Sequence, residues 1–337
     1  MTRQIAIGGP MNRRGAILAL AALAAAAGPP RVFSQPPKIR RIGVLMGGTA
    51  EAHKATMGAF AKRLRELGWE PERTISIEAR YADNRIDRFP PLAKELVESK
   101  VELVISSSTP GALAMKQATS SLPVVFTAVS DPVALGLVQS LARPGGNMTG
   151  LSSLVGDTAG KQFELLMALV PRLERVALMV VPGHQTNKLM IPRLETTVTN
   201  ARATLVVIEV GSAQALETAF AKAVAERATA MIVPPDPLYY SLRGRIAQLA
   251  LQTRIATGFT MAAFGRDGGL VSYGLNYADE FVRSADYVDK ILRGARPADL
   301  PVAQADRFEM VINRATAKAL GLTIPQSVLV RADEVVE

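Results

Sequence analysis

The stretch RRIGVLMGG (residues 40–48) returns in the second half of the chain as RVALMVVPGH (residues 175–184). Each begins with arginine, continues as an apolar run without polar alternation, and ends at Gly-Gly or Pro-Gly. An unbroken apolar run of this length fits a strand covered on both faces, the situation of a parallel sheet. The residues after the first copy support that reading. Met57, Phe60, Leu64 and Leu67 recur at helical spacing up to Gly68, Ile75 to Tyr81 is a second strand, and Leu92, Leu96 and Val97 mark the next helix. Val101 to Ser106 and Pro123 to Val129 are two further strands.

The scheme restarts with Val176 to Val181, followed by strands at Leu205 to Val210, Met231 to Val233 and Ile255 to Phe259. Helices led by Ile191/Leu194, Leu216/Phe220 and Ile246/Leu249 separate them. Alternating strands and helices predict an α/β chain with doubly wound parallel sheets, and two lobes are more economical than one sheet of eight or more strands. Between the halves lies SLARPGGNMTG (residues 140–150), entered from a helix-like apolar run of Ala134, Leu137, Val138 and Leu141. It is read as the crossing, with Gly145, Gly146 and Gly150 turning the chain from one lobe into the other. In the tail, GGLVSYGLN (268–276) is a returning strand, YADEFVRSADYVDKILRG (277–294) an amphipathic helix, and FEMVIN (308–313) another strand. With that helix on the first lobe and the tail on the second, the hinge has three segments. The expected divisions are 38–150 plus 275–303 for lobe 1 and 151–274 plus 304–337 for lobe 2.

The 337 residues carry 39 basic and 30 acidic side chains and no cysteine. Four of the cations, Arg3, Arg13, Arg14 and Arg31, fall in the first 34 residues, which hold no acid. The remaining excess is spread along the chain without a basic run, which argues against nucleic-acid binding. Arg13-Arg14, the twelve apolar residues Ala16 to Ala27, and Val32-Phe33-Ser34 follow the three regions of a secretory signal peptide. A stretch of ~20 residues would be needed to span a bilayer. Residues 1–34 are therefore expected to be removed near Ser34, by the general or the twin-arginine route. Without cysteine the exported chain has neither disulfides nor a lipid-bearing thiol, which points to a periplasmic protein free of the membrane.

Catalytic signatures are sparse. His53 and His184 stand far apart, each just after a strand, and read as surface or capping residues. GDTAGKQ (156–162) is one residue short of a phosphate loop and has Gln162 where Ser or Thr would bind magnesium. No His/Cys/carboxylate group has metal-ligand spacing, so neither a metal nor a cofactor is expected. Polar loops do end the strands, where ligands bind in open parallel sheets. Ser107, Ser108 and Thr109 offer hydroxyls and helix-start N–H groups that suit a carboxylate, or they cap the helix alone. Ser130 and Asp131 end the fourth strand, and Asp131 is a candidate ligand contact or an N-cap. Asp236 beside Tyr239 and Tyr240 could hold an ammonium group, or be a turn residue with a core tyrosine. Phe259 ends the next strand as a possible apolar wall.

Six stretches resemble the ABC transporter substrate-binding protein family that includes tryptophan- and tyrosine-binding members. They are RRIGVLMGG, FAKRLRELGW, SSSTPGALAMKQAT, PVVFTAVSDPVALGLVQSLARPGGNMTGLSS, GGLVSYG and KALGLTIPQSVLVRADEV. The resemblance runs from about Arg40 to Glu337. It implies a type I periplasmic-binding-protein fold, a small molecule held between two lobes, and delivery to a membrane permease powered by a separate ATPase. It also implies contacts at Gly47, Gly48 and Thr49, at Ser107 to Thr109, at Thr127, Ser130 and Asp131, and at Ser152, Ser153 and Asp236. The expected protein is a monomeric, non-catalytic binder of an amino acid or related small carboxylate. An exported enzyme using Asp131 or Asp236 as general base, or a sensory module with the same cleft, are the alternatives.

Overall fold

The computed structural model describes residues 39–153, 155–305 and 307–337, without the side chains of residues 155–157. The expected leader, residues 1–34, lies outside the described residues. Thirteen strands are described: β1 (Arg40–Met46), β2 (Ile75–Tyr81), β3 (Leu103–Ser107), β4 (Val124–Val129), β5 (Met148–Ser152), β6 (Arg175–Val180), β7 (Thr204–Glu209), β8 (Ala230–Val233), β9 (Ala256–Met261), β10 (Val271–Leu275), β11 (Ala303–Gln304), β12 (Phe308–Asn313) and β13 (Glu334–Val336). They form two sheets, ordered β11-β5-β4-β3-β1-β2 and β13-β12-β10-β9-β8-β6-β7. Among these strands only β12 against β10 is antiparallel; the first sheet is parallel throughout. Two α/β lobes with mostly parallel sheets are what the alternation of apolar runs predicts.

The apolar runs explain this arrangement. Ile42, Val44, Met46, Leu103, Ile105 and Val125 face one side of the first sheet, and Leu45, Val104, Val124 and Phe126 the other, each in its own buried cluster. The second sheet divides in the same way, with Val176, Leu178 and Val180 on one face and Ala177, Met179 and Val181 on the other. Both sheets are thus sandwiched by helices.

The chain crosses between sheets three times. It leaves the first after β5, returns after β10, and leaves again between β11 and β12. On its return the helix Tyr277–Leu292 packs Phe281, Ala285, Val288 and Leu292 against β1 and β3. Its polar side is tied to the helix Lys54–Glu66 and its C-terminal turn: Arg63 pairs with Asp286 at 2.8 Å, and the Trp69 indole donates to Asp289 at 2.8 Å.

The glycine-rich break is not the crossing. Residues 132–146 form turns, with Leu137 and Val138 buried beneath them, so the run before the break is not a helix. Met148–Ser152 is β5, wholly inside the first sheet, and the crossing begins only beyond it. Gly150 sits within this strand at φ +146, and a Cβ there would overlap the Phe126 carbonyl oxygen. The neighbouring β4 is irregular here, its register with β5 shifting between Phe126 and Val129, with Ala128 at φ +56. Glycine is needed because two strand backbones approach too closely for a side chain.

Candidate functional site

In the first sheet β1 is followed by a crossover to β2 on one side and to β3 on the other, and in the second sheet β6 stands between β7 and β8. Such reversals open a crevice at the carboxyl ends of the strands. The loops after β1, β3 and β4 converge there with those after β8, β9 and β10, and the segments that cross the cleft complete its walls. The resulting cavity holds about 590 Å³ of empty space, counted out to its mouth.

One wall is polar. Ser107 ends β3, and Ser108 caps the helix Thr109–Ala118, its Oγ accepting from the Gly111 N–H at 3.4 Å. Ser153 follows β5, two residues before the helix that starts at Val155. The hydroxyls of Ser107, Ser153 and the adjacent Thr127 are buried and have no hydrogen-bond partner among the described residues. Unpaired buried hydroxyls are costly, and here they gather beside the starts of two helices, whose N–H groups and dipoles favour an anion.

Asp236 closes the opposite side. As N-cap of the short helix Pro237–Ser241, its Oδ1 accepts from the Leu238 N–H at 2.8 Å, and its Oδ2 lies 3.7 Å from His184 Nε2. Burial raises its pKa from 3.8 to about 6, against the opposing effect of the Leu238 N–H. The neighbouring His184 is buried too, and that lowers its pKa to about 4. At neutral pH the pair is therefore a carboxylate beside a neutral imidazole.

Aromatic rings make the third wall. His53 stacks on Tyr240 at 5.5 Å between centroids and 14° between planes, and Tyr277 lies 5.6 Å from His53 and 5.8 Å from Tyr240. The Tyr277 hydroxyl donates to the Ser107 carbonyl at 3.3 Å. Arg243 covers the outer face of Tyr240, its guanidinium carbon 4.7 Å from the ring centre. Met261, Leu275 and Phe308 add apolar surface.

Of the ligand contacts and walls proposed from sequence, Ser107, Ser108, Ser153, Asp236 and Tyr240 line this cavity. The other proposed contacts lie elsewhere. Thr49 Oγ1 accepts from the Ala52 N–H at 3.2 Å, and Asp131 Oδ1 from the Ala134 N–H at 2.9 Å; both order turns. Thr109 and Ser130 contact one another, the Ser130 N–H donating to Thr109 Oγ1 at 3.3 Å. Gly48 lies against His53, whose Nε2 would be 2.6 Å from a Cβ there. Thr127 is buried behind the polar wall. Tyr239 is core, its hydroxyl donating to the Val210 carbonyl at 3.1 Å, while the adjacent Tyr240 turns into the cavity. Phe259 stacks on Phe264 at 4.5 Å within the second lobe's core.

The histidines are not surface residues. His53 is 2% exposed, with neither ring nitrogen paired among the described residues, and burial, aided by Arg243, lowers its pKa to about 4. His184 does serve locally, its Nδ1 accepting the Thr186 N–H at 3.2 Å. GDTAGKQ lies in the helix Val155–Leu169; Gln162 reaches away to donate to the Phe259 and Tyr273 carbonyls. Tyr277, Leu275 and Phe308 carry no local motif that marks them as site residues. Their signal is positional: each lies where the chain crosses, and every crossing passes the cleft.

The lobes meet closely at this site. Ser241 Oγ donates to Asn84 Oδ1 at 2.9 Å, and Pro237 packs against Gly47 so tightly that a Cβ would not fit. Related structures share the fold. The chain is 26% identical to an ABC domain in complex with L-Trp from Streptococcus pneumonia, with 89% of this chain and 100% of that one covered and a TM-score of 0.80. A ligand-free, open substrate-binding protein with adhesive properties from Clostridium difficile is 27% identical, with 89% and 99% covered, yet gives only 0.63. At nearly equal identity the better superposition is with the ligand-bound structure, as expected for closed lobes. A protein described as a tyrosine-binding protein, from Clostridioides difficile (strain R20291), is 28% identical over 269 residues, 80% of this chain and 77% of that one. The model of the ABC transporter substrate binding protein family matches residues 41–336. With a type I periplasmic-binding-protein fold and a match over almost the whole described chain, this protein belongs to the ABC transporter substrate-binding protein family.

Proposed function

We propose that the chain is the extracytoplasmic capture component of an importer, taking an amino acid with a large apolar or aromatic side chain and handing it to a permease driven by a separate ATPase. The observation that carries this reading is the opposition of two polar features across one cavity. Buried, unpaired hydroxyls of Ser107 and Ser153 stand beside two helix starts, and the carboxylate of Asp236 stands across from them. An α-carboxylate fits the first and an α-ammonium the second, while the side chain lies against Tyr240, Tyr277 and His53. The tyrosine- and tryptophan-binding relatives support the same class. The chain works as a monomer in the periplasm after removal of its leader, and it performs no chemistry on its ligand.

A ligand that touches both lobes stabilises the closed state over the open one and shifts the population accordingly. A micromolar dissociation constant corresponds to ~8 kcal/mol, enough to drive such closure. A thermal-shift screen of amino acids and small carboxylates, followed by calorimetry, tests the reading, since a specific ligand raises the melting temperature by mass action. An aromatic or large apolar amino acid is expected to give the largest rise. A panel in which only sugars, metals or dicarboxylates stabilise the protein overturns it.

A further inference from the structure

The far end of the second lobe, at the starts of its strands, carries a row of arginines that ligand capture does not use. The chain enters β6, β7, β8 and β9 through Arg172, Arg202, Arg227 and Arg254, which have φ of +53, +60, +58 and +57. Left-handed backbone after a helix is ordinarily taken by glycine or asparagine, yet all four positions here hold arginine. The strand order β9-β8-β6-β7 and the register Ala256↔Ala230↔Val176 with Arg175↔Thr204 set these starts side by side. Neighbouring strands are about 4.8 Å apart, so the row is roughly 15 Å long. All four side chains are exposed, and none forms an ion pair with a described residue. Arg175 lies in the same row and pairs with Glu226 at 3.2 Å; Glu174 is the exposed acid beside it. The corresponding left-handed positions of the first lobe are mixed, Glu72 and Lys100.

Apolar residues accompany the row. Val224 and Leu251, 49% and 36% exposed, each lie three residues before one of these arginines. Their helices, Leu216–Ala225 and Arg243–Thr253, cover the same face of the sheet. A helix C-terminus favours a nearby cation, which accounts for each arginine singly but not for valine and leucine held in water beside them. Cations interleaved with exposed apolar side chains match the chemistry of a bilayer surface, where phosphates meet acyl chains.

We propose that this end of the second lobe docks on an anionic phospholipid surface, the four arginines engaging lipid phosphates while Val224 and Leu251 enter the headgroup boundary. Because the row is at the strand starts and the cavity at the strand ends, docking leaves the ligand site free. Lateral search for a membrane partner then replaces part of the search through solution.

Co-sedimentation of the mature chain, beginning at Gln35, with phosphatidylglycerol-containing vesicles and with phosphatidylcholine vesicles tests this. The parent is expected to bind the anionic vesicles about tenfold or more tightly at low salt. Replacing Arg172, Arg202, Arg227 and Arg254 together by Asn, which tolerates left-handed backbone, should reduce binding to the neutral-vesicle level. The fourfold Lys variant should retain it, and Val224→Ser with Leu251→Ser should weaken it at every salt concentration. Melting temperature and ligand affinity of the fourfold Asn variant should stay near the parent's. Equal binding of the parent to both vesicles, no vesicle binding at all, or undiminished binding by the Asn variant overturns the proposal. An Asn variant that only melts earlier, with vesicle binding intact, assigns the arginines to the helix ends and overturns it too.

Discussion

Asp236→Asn should move stability and ligand affinity in opposite directions. The folded carboxyl titrates near 6 instead of 3.8, because it is buried. A group raised in this way favours the fold fully below its unfolded pKa, and that contribution is lost as pH rises through the folded value. At pH 7 the buried charge therefore costs about 3 kcal/mol, at 1.36 kcal/mol per unit of pKa. Asparagine has nearly the same shape, keeps an oxygen for the Leu238 N–H bond, and removes the charge. The ligand-free variant should melt a few degrees higher at pH 7, and this gain should vanish toward pH 4.

Ligand binding should change the other way. An ammonium group loses a charged hydrogen-bond partner worth roughly 1.5 to 3 kcal/mol, or about 10- to 150-fold in affinity. In the parent, affinity for a zwitterion should fall about tenfold between pH 7.5 and pH 5 as the carboxylate takes up its proton; in the variant it should be flat over that range. Calorimetry at several pH values, on an amino acid found by the thermal-shift screen, measures both. An Asp236→Asn protein with parental affinity and a parental pH profile would remove the ammonium site and leave neutral or anionic solutes as ligands.

Other substitutions separate the core from the cavity. His53 titrates near 4 because it is buried, so its stabilising contribution is present above pH 6.5 and lost as pH falls through 4; His53→Phe should shrink the stability difference between pH 7 and pH 4 by about 3 kcal/mol in acid-dependent denaturation. Tyr239→Phe removes a buried bond to the Val210 carbonyl and should cost about 1 kcal/mol of stability without altering ligand affinity. Tyr240→Ala should instead weaken an aromatic ligand by about 1 to 2 kcal/mol in calorimetry. Gly150→Val, placed against the Phe126 backbone, should cost about 3 kcal/mol or more in denaturant unfolding, whereas Gly146→Val, with open space around it, should stay within ~0.5 kcal/mol.

The two sheets are legible in the sequence because a parallel strand advertises itself: Ile42–Met46 and Val176–Val181 are apolar without alternation since both faces are covered. The polar wall is legible for a related reason. Ser107, Ser108 and Ser153 follow strand ends, where the topology must open a crevice. The break at residues 140–150 misleads because glycine signals two different needs with the same letter. Gly145 has φ +77, as a turn requires, but Gly150 is demanded by a close approach of β4 and β5, which only the pairing of distant segments reveals. Tyr239 and Tyr240 illustrate the same limit. One residue apart on a short helix, they point about 100° away from each other, and local sequence does not say which faces the core. The burial of His53 is equally hidden, because it depends on Tyr240 and Tyr277, which reach it from distant parts of the chain.

The way the site is divided explains why closure should await the right solute. Direct contacts between the lobes are modest: a hydrogen bond between Asn84 and Ser241, the seat of Pro237 on Gly47, and the His53–Tyr240 stack. Closure at the same time removes water from the hydroxyls of Ser107 and Ser153 and from both nitrogens of His53, none of which has a partner among the described residues. Each buried polar group left unpaired costs about 1 to 3 kcal/mol, so several together offset the few contacts that closure gains. A solute that merely fills the cavity leaves this cost in place. One that carries a carboxylate to the hydroxyls and a cation to Asp236 removes the hydroxyls' share of it, and converts those groups from opponents of closure into its supports. Discrimination then comes from the penalty on empty or mismatched closure as much as from attraction to the matched ligand. On this reasoning, Ser107→Ala with Ser153→Ala should lower affinity for the matched amino acid and also raise the closed population of the ligand-free protein. Small-angle scattering of the unliganded variant, compared with the parent, should show a smaller radius of gyration; an unchanged or larger radius would mean that the hydroxyls do not oppose closure.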